Sequence, residues 1–135
     1  MISEALTPIP AGAILLSGVR AAVLSGRFRF GEYEADADTG ELRKGGLRVQ
    51  LQDKSFEALL ALLERPSQLV TRAELQHRLW PGGVFVDFEN SLNSAVNRLR
   101  DALRDRARRA RYIETLGGRG YRFIAPVEHV SAVRR

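Results

Sequence analysis

The hydrophobic period of this chain changes twice, and the two changes fix the order of its secondary structure. In "RFRFGEYEADADTGELRKGGLRVQLQ", residues 27 to 52, side chains alternate over short runs broken by turn signals at Gly31, "DTG" and "KGG". A period of two belongs to half-buried strands, and tight turns join neighbours antiparallel, so three or four short strands in a meander are predicted. Phe28, Phe30, Leu42, Leu47, Val49 and Leu51 would form the buried face. From Asp53 to Arg65 the apolar spacing shifts to three and four, through Phe56, Leu59, Leu60, Leu62 and Leu63, until Pro66 stops the run. A second helix opens at "VTRAEL", where the Thr71 hydroxyl can accept from the Glu74 N–H while Glu74 reaches back. Val70 and Leu75 stand where a hydrophobic staple would close over that capping box, and "PGG" at 81–83 ends the helix after about Trp80. "VFVDF", 84–88, connects to a third helix over about 89–105. Period two then returns in "YIETL" and "YRFIAPV", which flank the glycine-rich "GGRG" at 117–120 and predict a two-stranded hairpin over about 112–124.

The expected class is therefore α+β: an N-terminal antiparallel sheet of three or four strands, a three-helix core and a C-terminal β-hairpin. A length of 135 residues suits one domain, placed at 27–127, with a flexible extension over 1–26 and a tail over 128–135. The run "AGAILLSGV", 11–19, is too short to cross a bilayer, and the first basic residue, Arg20, follows it where a signal peptide would need one before. With no cysteine for disulfides or thiolate metal sites, a cytoplasmic setting is expected.

Function is written most densely in "ENSLNSAVNRLRDALRD", 89–105. Successive residues 100° apart place Leu92, Ala95, Val96, Leu99, Ala102 and Leu103 within one arc of about 120°. The opposite arc carries Asn90, Asn93, Ser94, Asn97, Arg98 and Asp101, with Ser91 and Arg100 at its edges. Glu and Lys form better helices, so three asparagines on a merely solvated face cost propensity without return. Asn and Arg form directional, bidentate hydrogen bonds of the kind that read base edges. Charge points the same way. Residues 97–122 hold nine arginines against three carboxylates, so the whole net charge of +5 resides there, the footprint of a phosphate-bearing or otherwise anionic partner. In the hairpin, glycine permits a tight reversal while Arg119 can extend from the tip into a narrow groove.

Enzyme chemistry finds little purchase. "GGRG" is followed by no helix and meets no nucleotide-binding spacing, so no cofactor is expected. His77 and His129 belong to no ligand cluster, so no metal is expected either. Asp36 with Asp38 and Asp87 with Glu89 fall in turn-like segments where solvated carboxylates are routine, and Ser91 and Ser94 lack a histidine base in sequence context.

The order of elements, with "SLNSAVNRLRDAL" followed by "RYIETLGGRGYRF", resembles the winged helix-turn-helix DNA-binding domain of OmpR/PhoB-type transcriptional regulators. It is closer still to CadC-like versions, in which this domain opens a larger membrane or sensory protein. The resemblance covers about 27–127, with "RLRDAL" and "YIETLGGRGYRF" its most specific pieces and "RAELQHRLWP" in support. It implies sequence-specific binding of double-stranded DNA, the third helix in the major groove and the wing on the backbone or minor groove. Ser91, Ser94, Asn97 and Arg98 then face the groove, Asn90 and Arg100 meet phosphates, and Thr115 and Tyr121 match backbone-contacting positions of the wing. Trp80 matches a position near phosphate. The loop over 81–89, with Phe85, Val86 and Phe88, occupies the place of one that touches RNA polymerase in relatives. Some relatives carry a wing arginine where this chain has Gly117, and Asp101 would repel DNA unless held by Arg98 or Arg104. The 26 residues before the sheet cannot form a receiver domain. One such module makes a limited interface, so two copies on neighbouring half-sites are expected. The alternative is a winged-helix module whose third helix and wing contact an acidic protein partner or RNA polymerase.

Overall fold

The computed structural model describes residues 26–82 and 87–130; the extension expected over 1–26 therefore lies, apart from Gly26, outside the described residues. Four strands, β1 (Arg27–Phe30), β2 (Tyr33–Asp36), β3 (Glu41–Lys44) and β4 (Leu47–Val49), form the predicted meander. Helix α1 (Asp53–Leu63) follows, then β5 (Leu69–Thr71), α2 (Arg72–Leu79), α3 (Phe88–Leu103), the hairpin strands β6 (Ile113–Thr115) and β7 (Gly120–Phe123), and β8 (Glu128–Val130). The strand order is β4-β3-β2-β1-β8 in one sheet and β5-β7-β6 in the other.

Both sheets are one strand larger than the alternation predicts. Glu128–Val130, expected in the tail, pairs antiparallel with β1, and His129 stacks on Phe28 with ring centroids 4.5 Å apart. β5 turns the expected two-stranded wing into a three-stranded sheet, with Val70 opposite Tyr121. Each added strand is three residues long. Segments that short show no period; the open edges of β1 and β7 recruit them.

Register sets the core face of the larger sheet. Phe28, Ala35, Leu42 and Val49 form one cross-strand row, and Phe30, Tyr33, Lys44 and Leu47 the next. Phe28, Phe30, Tyr33, Ala35 and Leu42 are buried, and Val49 and Leu51 pack partly against the core. Leu47 corrects the expectation: it is 75% exposed, because it ends its row on the outer edge strand, where cover from neighbours runs out. α1 is buried on most of its surface, with Ala58, Leu59 and Leu62 at the centre, and the buried Ser55 hydroxyl donates to the Ala95 carbonyl of α3 at 2.8 Å.

The capping box of α2 forms as predicted. The Thr71 hydroxyl accepts from the Glu74 N–H at 3.0 Å, the Glu74 carboxylate accepts from the Thr71 N–H at 2.8 Å, and Val70 and Leu75 are buried beside them. The Thr71 N–H, and after it the Arg65 side chain, holds the Glu74 carboxyl below its ordinary value of 4.5. A depressed folded-state value gives stability that is present above the unfolded value and is lost as pH falls through the folded one. Glu74→Gln is therefore expected to flatten the pH dependence of urea unfolding below about pH 4.5. An unchanged acid limb would show that the box does not carry it.

Candidate nucleic-acid interface

α3 begins at Phe88 because the Asp87 side chain caps it, accepting from the Asn90 N–H at 3.3 Å and from the Asn90 amide at 2.7 Å. Leu92, Ala95, Val96, Leu99 and Leu103 are buried, while Asn90, Asn93, Ser94, Asn97, Arg98 and Asp101 are exposed and Ser91 is half-buried. The predicted division of faces is thus present. Among the described residues, Ser94, Asn97 and Arg98 make no side-chain hydrogen bond or ion pair within the chain, so their polar groups are available to another molecule. Asn90 already spends one of its two amide hydrogens on Asp87.

Arg100 departs from its expected place at the edge of the outer arc. It is only 7% exposed, and its guanidinium donates to the Ile113 carbonyl at 3.0 Å and to the Thr115 hydroxyl at 2.6 Å. The reason is tertiary: the hairpin lies over this flank of α3 and supplies both acceptors. Tyr121 is buried as well, its ring lying 5.8 Å from the Arg100 guanidinium and 5.9 Å from that of Arg72. Thr115 is exposed, and accepting from Arg100 leaves its own hydroxyl hydrogen free to donate outward. Arg119 is exposed at the wing tip, which Gly117 turns at φ 58° and an Arg119 N–H bond to the Leu116 carbonyl closes at 3.0 Å.

Arg72 is the residue that pattern reasoning missed. From the first turn of α2 it donates to the Tyr121 hydroxyl at 3.0 Å, to the Asn93 side chain at 3.0 Å and to the Glu89 carboxylate at 3.3 Å, tying the wing to the start of α3. Its backbone N–H also donates to the Arg119 carbonyl at 3.0 Å. No signal in "VTRAEL" points to this, since all its partners are distant in sequence. Trp80 is half-buried against Phe88, at 5.9 Å between centroids, with the Lys54 ammonium 5.8 Å from its ring. Phe85 and Val86 of the loop over 81–89 lie outside the described residues. Among the described residues no three His, Cys, Asp or Glu side chains gather as metal ligands, and no helix is long and apolar enough to cross a membrane.

The family described as "Transcriptional regulatory protein, C terminal" matches residues 46–123, from the turn before β4 to the end of β7. The chain is similar to the cholera toxin homolog transcriptional activator of Vibrio parahaemolyticus, at 34% identity over 89 residues, covering 66% of this chain and 30% of the relative. It is also similar to transcriptional regulator HilA of Salmonella typhimurium, at 35% identity over 105 residues, covering 78% and 18% respectively. The chain thus spans less than a third of these relatives' length. Among solved structures it superposes on response regulator DrrB, an OmpR/PhoB homolog from Thermotoga maritima, with TM-score 0.64 and 34% identity over 73% of this chain and 44% of that one. The Klebsiella pneumoniae RstA DNA-binding domain, in complex with the RstA box, gives TM-score 0.62 and 28% identity over 73% and 96%. The DNA binding domain of Escherichia coli CadC shares the fold, with TM-score 0.65 and 20% identity over 78% and 98%.

Proposed function

The chain belongs to the OmpR/PhoB-type family of transcriptional regulatory DNA-binding domains, a family of regulators rather than enzymes, and on that premise we propose that it reads specific double-stranded sites with α3 in the major groove. The observation that carries this proposal is the outward face of α3, where Ser94, Asn97 and Arg98 hold hydrogen-bonding groups unspent within the chain, beside a wing fixed in place by Arg72 and Arg100. Ser91 at the margin of that face and the carbonyl oxygen of the Asn90 amide complete the surface that meets bases and phosphates. Arg119 at the wing tip enters the minor groove or meets its backbone, and the Thr115 hydroxyl donates to a phosphate. Arg100 and Tyr121 act from behind, since their burial suits them to setting the angle of the wing rather than to gripping DNA directly. The complex of RstA with the RstA box supports DNA as the partner here.

Backbone phosphates supply most of the affinity and α3 the discrimination. Similarity to HilA and the Vibrio activator, of which this chain matches only a small part, supports the role of a reading head for a larger regulator of the CadC-like kind. The head works on the cytoplasmic side, where the chromosome is. One domain offers a small interface, so two copies bind neighbouring half-sites, and the loop over 81–89 contacts RNA polymerase beside them.

The test is anisotropy of a labelled duplex titrated with the chain across a salt series, followed by operator selection. Log K is expected to fall linearly with log salt, at a slope of about 0.9 per neutralised phosphate. Absence of binding at low salt would refute DNA as the partner and favour an acidic protein. On a selected operator, Arg98→Ala is expected to lose about 1 to 3 kcal/mol, roughly 5- to 150-fold, with a much smaller loss on a scrambled duplex. Equal losses on both would remove Arg98 from base reading.

A further inference from the structure

The arginines divide by what they touch. Seven of them are held by carboxylates, as Arg65 is by Glu74 at 2.9 Å and Arg78 by Glu64 at 2.8 Å. The connection from α3 to β6 differs. It carries Arg104, Arg106, Arg108, Arg109 and Arg111, all exposed, and none of the five forms an ion pair among the described residues. Its one acid, Asp105, is turned inward: the carboxylate accepts from the backbone N–H groups of Arg111 at 2.7 Å, Tyr112 at 3.2 Å and Ile113 at 2.9 Å, and the residue is 6% exposed.

The connection is nevertheless built. The Arg109 N–H donates to the Arg106 carbonyl at 3.0 Å and closes a turn, the Arg111 guanidinium reaches the Arg104 carbonyl at 3.3 Å, and it also lies 5.4 Å from the Tyr112 ring. Five like charges on so short an ordered segment repel one another, and an anion that approaches relieves that repulsion.

The position of the turn at the end of α3 decides the anion. Asn90, Ser94, Asn97, Asp101 and Arg104 follow one another at spacings of four, three, four and three, so the outward stripe of α3 runs into this turn. The helix has 16 residues. At 1.5 Å per residue it is about 24 Å long, roughly twice the width of a major groove of about 12 Å. A straight rod of that length either crosses the groove or leaves its curved floor at the ends, and both arrangements bring the end of α3 to the phosphate wall. The choice of arginine fits: its planar fork matches two phosphate oxygens at once, which lysine cannot do.

We propose that the Arg104–Arg111 turn is a second, sequence-independent phosphate clamp, gripping the duplex backbone past the edge of the groove that α3 enters. It lies at the opposite end of β6 from the wing tip, so it lengthens the footprint rather than repeating the wing's contact. This rests on the DNA-binding function proposed above.

The test compares the full chain with the variant R106A/R108A/R109A and the charge-conserving variant R106K/R108K/R109K, using a labelled mixed-sequence duplex across a salt series. The alanine variant is expected to lower the slope of log K against log salt by about 2 to 3, while the lysine variant keeps it. Thermal melting should be unchanged in both, because none of these three side chains holds another residue. If the unaltered chain shows no salt-dependent binding, DNA binding and the clamp fall together. If it binds with a slope worth several phosphates and the alanine variant retains that slope, the clamp alone is overturned. A retained slope accompanied by lost binding to polyglutamate would assign the turn to an acidic protein instead.

Discussion

Gly120→Ala is expected to destabilise the domain by about 3 kcal/mol or more, from overpacking and backbone strain together. A Cβ at this position would stand 2.2 Å from the Val70 carbonyl oxygen and 2.8 Å from the Thr71 Cα, both backbone atoms that no rotamer change can move aside. The glycine, at φ 154°, stands opposite Thr71 in the β5–β7 pair. Adding a methyl group there separates the wing from the start of α2, and with it the Arg72 N–H bond to the Arg119 carbonyl. For a domain of this size the loss corresponds to a fall in melting temperature on the order of 15 °C. Gly118→Ala is the control, since a Cβ there meets nothing within 4 Å and the residue does not sit at positive φ. Melting curves for the two variants that coincide would contradict the close approach of β5 and β7. DNA affinity should fall along with stability for Gly120→Ala, because the wing's direction depends on that seam.

The second large effect is expected at Asp105. Its carboxylate takes three backbone N–H groups, two of them on the buried residues Tyr112 and Ile113. Asp105→Ala leaves those two donors without a partner and out of reach of water, which costs about 1 to 3 kcal/mol each, so a total of about 2 to 6 kcal/mol is expected. Asp105→Asn should recover only part of this, because its amide retains one acceptor oxygen and sets a donor against donors. Urea unfolding gives the energy, and hydrogen exchange gives the location: the Tyr112 and Ile113 amides should lose protection before the rest of β6. If they exchange as slowly in Asp105→Ala as in the unaltered chain, another acceptor holds them.

Asp105 also shows why an arginine-rich segment can be ordered. Nothing local to "RDRARRAR" distinguishes an inward carboxylate from a solvated one. The left-handed turn at Arg104, with φ 55°, aims Asp105 back under the chain, and only then do its oxygens meet the amides six to eight residues ahead. Arg100 raises the same difficulty from the other side. Its charge and its marginal place on the wheel suggest a phosphate contact, yet the hairpin that buries it is brought over by folding, and the wheel carries no trace of that cover.

By itself the sequence determined whatever depends on residues within about one turn or one hairpin of each other. The period-two runs specified the meander and the wing, the three-and-four spacing specified α1 and α3 and their buried faces, and Thr71 with Glu74 specified where α2 begins. It also determined the composition of the outer face of α3, because side chains 100° apart must divide between core and solvent wherever the helix docks. Tertiary structure alone decided β5 and β8, whose three residues become strands only because β7 and β1 offer open edges. It decided the exposure of Leu47, the burial of Arg100 and Tyr121, and the place of Arg72 between wing and α3. The physical reason is common to all of these: local pattern reports which way a side chain points from its own element, whereas burial and partnership depend on what arrives from elsewhere in the chain.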